Sequence, residues 1–276
     1  MLAKISALLN NAKKVGYGVP ALGAVDEMTC RATIDAAEEM HSPLILLCMQ
    51  NGNRDMEYFG RLMSDLALRA KVPVATMYDH TSTFESAIEG IRCGFNTVMM
   101  DRSQLSFEEN AAQIKEFVRI AHSVGVEVEA ELGHVGWGSN YAVDGSSALT
   151  VSEEAVRFVA ETKVDCLAVA IGTAHGIYKA KPQIHFDLLE QLAHDVPVPL
   201  VLHGGSGTGD ENLAQACKKG ICKINIVNDL YRGAYNAAVK DGMEGNRIYD
   251  LFSVLSQGYG EVARHFITVF GSAGKA

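Results

Sequence analysis

Short apolar runs alternate along the chain with stretches that have helical periodicity. Most of the runs are continuous rather than alternating in polarity, which is typical of parallel strands buried on both faces. In order, the eight runs are VPAL near residue 20, PLILLCM from Pro43, VPVATMY from Val72, NTVMM from Asn96, VEVEAEL from Val126, DCLAVAI from Asp165, VPLVLH from Val198 and CKINIV from Cys222. Eight strand–helix units in 276 residues predict an α/β fold, a (β/α)8 TIM barrel, with a doubly wound sheet as the alternative.

The helical segments carry their own start signals. Ser106 precedes Phe-Glu-Glu and Ser152 precedes Glu-Glu, so both serines are predicted N-caps. The stretch from Asp229 onward is helical and longer than one barrel helix requires, which predicts extra C-terminal helices that cover the barrel or contact another subunit. Because no Pro-rich or Ser-rich linker interrupts the chain, residues 1–276 are predicted to form a single TIM-barrel domain.

Composition narrows the range of partners. The net charge is -9, and a negative field repels phosphate backbones and anionic lipid, so we expect no nucleic-acid and no membrane partner. A local anion site stays possible. No apolar run reaches the ~18 residues of a membrane span, and the N-terminus lacks the long apolar core of a signal peptide. The six cysteines have no C-x-x-C spacing, which favours small buried thiols and a cytoplasmic protein.

Polar side chains cluster at the predicted carboxyl ends of the strands, where TIM barrels carry their active sites. Asp79 and His80 end the third strand, Asp101 ends the fourth, His175 follows the sixth and His203 ends the seventh. Three imidazoles with a fourth position left open are the ligand set of a catalytic zinc ion. The pattern therefore predicts a metal site at His80, His175 and His203. The other six histidines are expected to be surface residues, among them His41, His122 and His194.

A glycine-rich turn, HGGSGTG, follows the seventh strand. It lacks G-x-G-x-x-G spacing and does not open the first strand–helix unit, so dinucleotide binding is not predicted. The backbone N–H groups of such a turn, together with the loop after strand eight, commonly form the phosphate cradle of a barrel. The predicted cradle comprises Gly204, Gly205 and Ser206 with Asn228, and a plain turn is the alternative.

Sequence blocks in this order resemble the class II, metal-dependent fructose-bisphosphate and tagatose-bisphosphate aldolases over nearly the whole chain. They are YGVPAL, SPLILL, YDH, VMMD, VEAELG, DCLAVAIGTAHGIYK, VPLVLHGGSG, KINI and the terminal GSA, and among them YDH, AIGTAHG and LHGGSG are highly specific. The resemblance implies an aldehyde-lyase that cleaves or forms a ketose through a zinc-stabilised enediolate of a dihydroxyacetone-phosphate-like donor. It also implies a small sugar-phosphate substrate and a homodimer or homotetramer.

The resemblance assigns roles residue by residue. It implies that His80, His175 and His203 bind Zn²⁺ and that Asp79 is the acid/base at the aldehyde oxygen. It places Asp101 and Glu131 at a second or alternate metal position. Around the donor and a monovalent cation such as Na⁺ or K⁺ it places Gly176, Gly204 and Asn225. At the donor phosphate it places Gly205, Ser206 and Asn228.

Departures from the family pattern fall on one end of the substrate. Gly23 stands where relatives carry an asparagine in the acceptor-phosphate site, and Met49 stands where a serine is common. Ser253 aligns with an arginine that, in relatives, can reach that phosphate from a neighbouring subunit. We therefore hypothesise that the acceptor aldehyde differs from glyceraldehyde 3-phosphate, being unphosphorylated or differently substituted.

The loop after strand five also departs from the pattern. Relatives carry an acidic GGxED-like loop whose glutamate is the enolisation base, whereas this chain reads GHVGWGSNYAVDG, with Ser139 and Asn140 near the carboxylate positions. Asp144 and a water held by the loop are the alternatives for the base. Trp137, the only tryptophan, either covers an apolar part of the substrate or has a packing role.

At the donor phosphate, Asn228 stands where relatives carry a threonine. An asparagine side chain can still donate a hydrogen bond to a phosphate oxygen.

Two other functions stay open on this scaffold. One is a different metal enzyme, such as an epimerase, isomerase or hydrolase, although the H-x-H pattern of common barrel hydrolases is absent from the first strand. The other is a non-catalytic subunit that kept the fold. Against it stands the presence of Asp79 together with three histidines of metal-ligand type.

Overall fold

Eight parallel strands close into a barrel in chain order, with the eighth strand paired to the first. The computed structural model describes residues 1–137, 149–179 and 182–276. The strands are β1 (Val19–Gly23), β2 (Leu44–Met49), β3 (Val74–Thr81), β4 (Thr97–Met100), β5 (Glu127–Leu132), β6 (Cys166–Val169), β7 (Leu200–Leu202) and β8 (Ile221–Ile226). The predicted (β/α)8 barrel is therefore confirmed, since every predicted apolar run overlaps one of these strands.

Helices surround the barrel and continue beyond its last strand. They are α1 (Ile5–Val15), α2 (Glu27–Glu39), α3 (Met56–Arg69), α4 (Phe84–Arg92), α5 (Phe107–Ser123), α6 (Ser152–Thr162), α7 (Phe186–Asp195), α8 (Asp210–Lys218), α9 (Asn228–Asp241), a 3₁₀ helix (Gly245–Asp250) and α10 (Leu251–Val269). The long α10 packs against α9 and α2, which confirms the predicted extra C-terminal helices. Within the described ranges, none of the helices is long and apolar enough to cross a membrane.

The two predicted N-caps have different outcomes. The Ser106 hydroxyl accepts a hydrogen bond from the Glu109 backbone and completes a capping box at the start of α5, as predicted. The prediction for Ser152 is wrong, because α6 begins at Ser152 itself and Val151 occupies the N-cap position. The Ser152 hydroxyl instead donates to an Asp195 carboxylate oxygen at 2.7 Å, a stronger, charged acceptor from the neighbouring α7.

Strand β5 brings acidic side chains into the barrel interior. Val128 and Ala130 pack in the core beneath the helices, and successive side chains of a strand point to opposite faces. The alternate residues therefore point inward, and these are Glu127, Glu129 and Glu131, all buried. Carboxylates in the interior require partners, and Glu129 lies beside Lys223 inside the barrel and beside His203 at its carboxyl end.

Candidate active site

Three histidines meet at the carboxyl end of the barrel, as the sequence predicts. His80 lies near the end of β3, His175 follows β6 and His203 follows β7 directly. The ring centroids are 4.6 Å apart for His80 and His175, 4.7 Å for His80 and His203, and 5.5 Å for His175 and His203. One nitrogen from each ring lies within 4.8 Å of the other two, so the three can share one metal ion.

The backbone at His80 departs from regular strand geometry. Its φ is +55°, in the left-handed region that residues other than glycine adopt infrequently. The register between β3 and β4 also shifts between Tyr78 and Thr81, so the irregularity is shared with the strand pairing. Such a bulge re-aims a side chain, and strained backbone of this kind is concentrated at functional sites. Here it allows Asp79 and His80 to border the same site.

Two of the imidazoles are held through one nitrogen, and the opposite nitrogen of each ring is the candidate metal ligand. His175 Nδ1 lies 3.1 Å from the Val135 carbonyl oxygen, and His203 Nε2 lies 2.9 Å from Glu129 Oε1. Within the described residues, the opposite nitrogens, His175 Nε2 and His203 Nδ1, are buried without a hydrogen-bond partner. Metal-binding histidines are held in this way, because the outer contact fixes the ring while the inner nitrogen binds the ion.

The electrostatics of the His175 and His203 rings suit a cation. Burial, followed by the neighbouring His80 and His203 rings, lowers the pKa of His175 to about 2. Burial also acts to lower the pKa of His203, but the contacts with Glu129 and Glu131 outweigh it and raise that pKa to about 10. The site therefore keeps one imidazole neutral while its carboxylates attract positive charge, which is the environment of a metal ion bound by nitrogen ligands.

Asp101 and Glu131 also lie beside the histidines, as expected for a second metal position. Asp101 Oδ2 is 3.6 Å from His80 Nδ1, and Glu131 Oε2 is 3.4 Å from His203 Nδ1. One ligand atom each from His80, Asp101 and Glu131 lies within 4.8 Å of the others. The structure thus brings all five predicted metal residues into one cluster, in which His80 is common to both groups.

Asp79 is a buried carboxylate whose two oxygens differ in their hydrogen bonding within the described residues. Its Oδ2 accepts a hydrogen bond from Asn225 Nδ2 at 3.1 Å and lies 3.6 Å from His80 Nε2. In the described part of the chain, Oδ1 of Asp79 and Oδ1 of Asn225 have no hydrogen-bond partner. A carboxylate that is fixed at one oxygen and open at the other can exchange a proton with a bound hydroxyl group.

The predicted phosphate cradle lies between the loop after β7 and the start of α9. The Ser206 hydroxyl accepts hydrogen bonds from the backbone N–H groups of Val227 and Asp229, both at 3.3 Å. Asn228 is the first residue of α9, so the positive end of that helix faces the serine. Gly204 has a φ of +69°, and a Cβ there would lie 2.1 Å from the Ala174 carbonyl oxygen, so this position requires glycine.

Trp137 covers one side of the site. Its ring centroid is 5.9 Å from that of His175, and its backbone forms a parallel bridge with His175. A Cβ at Gly176 would lie in ordinary van der Waals contact with the indole ring, at 3.7 Å, so the φ of +82°, rather than the tryptophan, favours glycine at this position. The Trp137 side chain is 65% exposed, which leaves an apolar surface at the mouth of the site.

The predictions about the enolisation base concern Ser139, Asn140 and Asp144, and these three positions lie outside the described residues.

Of the three residues that depart from the family pattern, Met49 and Gly23 lie at strand ends near the site, whereas Ser253 lies on a C-terminal helix. Met49 is paired in register with Asp79, so it lies at the mouth of the site on the neighbouring strand. Gly23 ends β1, and a Cβ there would lie 3.1 and 3.2 Å from the two Val227 methyl groups. The space beside Gly23 is therefore filled by an apolar side chain. Ser253 is exposed on α10.

The sequence did not reveal every residue at the site. His134, expected at the surface with the other histidines, is only one-third exposed, and its Nδ1 lies 2.9 Å from Ser103 Oγ and 3.7 Å from Glu131 Oε1. Its position shortly after the end of β5 is the sequence feature that indicates a place at the site.

Lys223 is a second residue that the sequence did not point to. Its Nζ donates a hydrogen bond to Glu129 at 2.9 Å. A lysine inside an apolar strand is a signal of a buried charge pair.

Comparison with known proteins identifies the class to which this fold and site belong. The family model described as fructose-bisphosphate aldolase class-II matches residues 3–275. The chain therefore belongs to the class II fructose-bisphosphate aldolase family, whose members are generally metal-dependent.

Relatives named for different ketose phosphates are similar to this chain. A fructose-bisphosphate aldolase of Thermus caldophilus is 39% identical over 309 residues, covering 100% of both chains. A sulfofructosephosphate aldolase of Alkalicoccus urumqiensis is 37% identical over 98% of this chain and 96% of that protein. The crystal structure of the YdjI aldolase from Escherichia coli K12 has a TM-score of 0.90 and 36% identity, with complete coverage of both chains. The chain is thus an aldolase of this family.

Proposed function

We propose that this protein is a zinc-dependent aldolase that cleaves or forms a ketose phosphate through the enediolate of a dihydroxyacetone-phosphate-like donor. The observation that carries the proposal is the meeting of three imidazoles with a buried carboxylate: His175 Nε2, His203 Nδ1 and Asp79 Oδ1 are all buried without hydrogen-bond partners among the described residues. Buried polar atoms are normally satisfied, so their convergence supports a bound ion and a bound hydroxyl group.

The donor set fits zinc. Nitrogen ligands from His80, His175 and His203 with an open fourth position suit a catalytic zinc ion, and Asp101 and Glu131 offer an alternate oxygen-rich position. When bound, zinc would supply positive charge that stabilises the negative charge of the enediolate. Proton transfer and substrate binding are proposed to depend on the side chains described below.

Asp79 is proposed to move the proton at the aldehyde oxygen. In the cleavage direction its open Oδ1 accepts the hydroxyl proton of the substrate as the carbon–carbon bond breaks, and in the synthetic direction it returns the proton. Asn225 Nδ2 holds the other oxygen at 3.1 Å, so the carboxylate keeps one orientation through both directions. Asn225 Oδ1, which is buried without a hydrogen-bond partner in the described part of the chain, is proposed to accept a hydrogen bond from the donor.

The donor phosphate is proposed to bind at the cradle. Gly204, Gly205 and Ser206 bring their turn against the first turn of α9, where Asn228 and the Asp229 N–H lie. A helix N-terminus and a serine hydroxyl are ordinary anion ligands, and they act locally despite the net charge of -9. Gly176 and Gly204 would hold the donor together with a Na⁺ or K⁺ ion.

The acceptor aldehyde is proposed to differ from glyceraldehyde 3-phosphate. Met49 beside Asp79 and Val227 beside Gly23 offer methyl and thioether groups in place of phosphate donors. The family membership leaves this open, because similar relatives are named for fructose bisphosphate and for sulfofructose phosphate. Membership does favour an aldolase over an epimerase, an isomerase or a non-catalytic subunit.

The C-terminal elements support self-association. Large apolar side chains are exposed on α9, the 3₁₀ helix and the start of α10, namely Tyr235, Val239, Ile248, Tyr249 and Phe252. We propose that this surface is part of a homodimer or homotetramer interface. Light scattering would test it: F252D should lower the molar mass, whereas V15D, at an exposed apolar position on α1, should not.

The cysteines bear on the cellular location. All six are free and buried, which supports the proposed cytoplasmic location.

An aldehyde-release assay over a panel of ketose phosphates tests the activity. The panel contains fructose 1,6-bisphosphate, tagatose 1,6-bisphosphate, fructose 1-phosphate and sulfofructose phosphate, each with zinc-loaded and metal-free protein. Zinc-dependent release from at least one ketose is expected. Absence of release from every compound would contradict the aldolase proposal, and maximal rates on the two bisphosphates would contradict only the proposed acceptor.

A further inference from the structure

A lysine and a glutamate form an ion pair in the interior of the barrel. Lys223 on β8 and Glu129 on β5 each have no exposed side-chain surface, and Lys223 Nζ lies 2.9 Å from Glu129 Oε1. Two ionised groups lose their hydration when they are buried, and apolar residues of similar volume are often at least as stabilising. Stability therefore does not explain why the interior contains this pair.

The pair is directed at a proposed metal ligand. The oxygen that accepts from Lys223, Glu129 Oε1, also lies 2.9 Å from His203 Nε2. The other oxygen, Oε2, lies 3.3 Å from the Cys166 thiol. Glu129 is thus held by β8 and β6 and presents one fixed oxygen to the imidazole. An acceptor at Nε2 places a proton there and leaves Nδ1, which is buried without a hydrogen-bond partner among the described residues, to bind an ion.

We propose that Lys223 is a positioning residue for the metal centre, acting through Glu129 on His203. Its ammonium group balances the charge of the buried carboxylate and holds Oε1 in line with His203 Nε2, so that His203 Nδ1 points into the site as a metal ligand. Without Lys223, the buried carboxylate would have no ammonium group to balance its charge and would keep only the Cys166 thiol and His203 as contacts. This inference rests on the proposed metal site.

Zinc affinity measured on metal-free protein tests the proposal. Competition with a chelator is expected to give a Kd for zinc roughly 10–100-fold weaker for K223M than for wild type, as for other outer partners of metal ligands. M99L is the matched control, since Met99 is an interior residue paired in register with Glu129, and its zinc affinity should be unchanged. Thermal unfolding of each variant checks that the barrel is folded.

A double variant separates positioning from simple loss of a buried charge. In K223M/E129Q no isolated charge is left, and the glutamine oxygen can still accept from His203 Nε2. Its zinc affinity is expected to lie between those of K223M and wild type. This variant also serves if K223M alone fails to fold, because a zinc affinity equal to that of wild type would overturn the role of the charged pair.

Proton NMR of the zinc-loaded protein supplies a readout that a purely structural role would not change. The His203 Nε2 proton, assigned by its loss in H203A, should be protected from exchange in wild type and M99L and exchange faster in K223M. An unchanged proton or an unchanged zinc Kd in K223M would overturn the proposal. Failure of wild type to bind zinc would instead overturn the metal site itself, and the inference with it.

Discussion

The amide of Asn225 donates a hydrogen bond to the carboxylate of Asp79, with Nδ2 3.1 Å from Oδ2. The two residues lie on β8 and β3, which are not neighbours in the barrel, so the contact crosses its mouth. The open Asp79 oxygen is therefore oriented from the far side of the site. This relationship predicts separate effects for changes at the two positions.

Replacement of Asp79 should reduce turnover without removing the metal. For D79N we expect a loss of about 10²–10⁴-fold in kcat, the usual contribution of a general acid/base. Zinc content should be unchanged, because the three histidines are retained. Steady-state assay with metal analysis makes the measurement. Turnover equal to wild type would contradict the role of Asp79.

Removal of the supporting amide should have a smaller effect. N225A leaves the Asp79 carboxylate in place but frees it to rotate, so we expect kcat to fall by roughly tenfold, consistent with a hydrogen bond to a charged group. N225D places a second carboxylate ~3 Å from the first, and like charges at that distance repel. It should therefore lower kcat more than N225A does. An N225D variant as active as N225A would argue against the direct contact.

Removal of one proposed ligand should release the metal. H175A is expected to lose zinc on dialysis and to lose activity, because only two histidine ligands remain in the proposed set. H194A is the matched control, since His194 is an exposed histidine on α7, away from the three proposed ligands in the sequence, that hydrogen-bonds to its neighbour Asp195. Retention of a full equivalent of zinc by H175A, measured by atomic spectroscopy, would contradict the proposed ligand set.

The single tryptophan provides an optical test of the same site. The Trp137 ring lies 5.9 Å from that of His175, so a paramagnetic ion bound at the histidines would quench its fluorescence. Titration of metal-free protein with Co²⁺ should give saturable quenching that zinc reverses by competition. H194A should behave like wild type, whereas H175A should show little quenching. Quenching that zinc does not reverse would indicate cobalt bound elsewhere.

The acceptor hypothesis predicts a gain of function. M49S places a hydroxyl beside Asp79, where family members commonly carry a serine. A hydrogen bond to a charged phosphate contributes ~1.5 kcal/mol, which is about a tenfold gain in kcat/KM for fructose 1,6-bisphosphate. M243S, after α9, is the control for loss of a methionine. If M49S does not improve the use of bisphosphates relative to other ketose phosphates, Met49 does not determine acceptor choice.

The sequence allowed much of the fold to be predicted because each strand is a compact apolar run, and barrel geometry then places every strand end on one face. His80, His175 and His203 could be found in this way, since His203 ends such a run and the other two follow one after a few residues. The contact between Lys223 and Glu129 could not, because it joins strands 94 residues apart along the chain. Ser152 was misassigned for a similar reason: its acceptor, Asp195, lies on another helix.

The contact between Gly23 and Val227 bears on how the acceptor preference of this enzyme could change over successive mutations. A side chain introduced at position 23 meets the Val227 methyl groups at 3.1 and 3.2 Å, whereas a smaller residue at position 227 meets no such obstacle. The two positions are therefore coupled: the Val227 side chain must move by a few tenths of an ångström, or become smaller, when an asparagine enters at Gly23. Ancestral lineages and directed evolution that recover a phosphate-binding asparagine should therefore show accompanying changes at position 227 more often than at exposed positions such as Ser253.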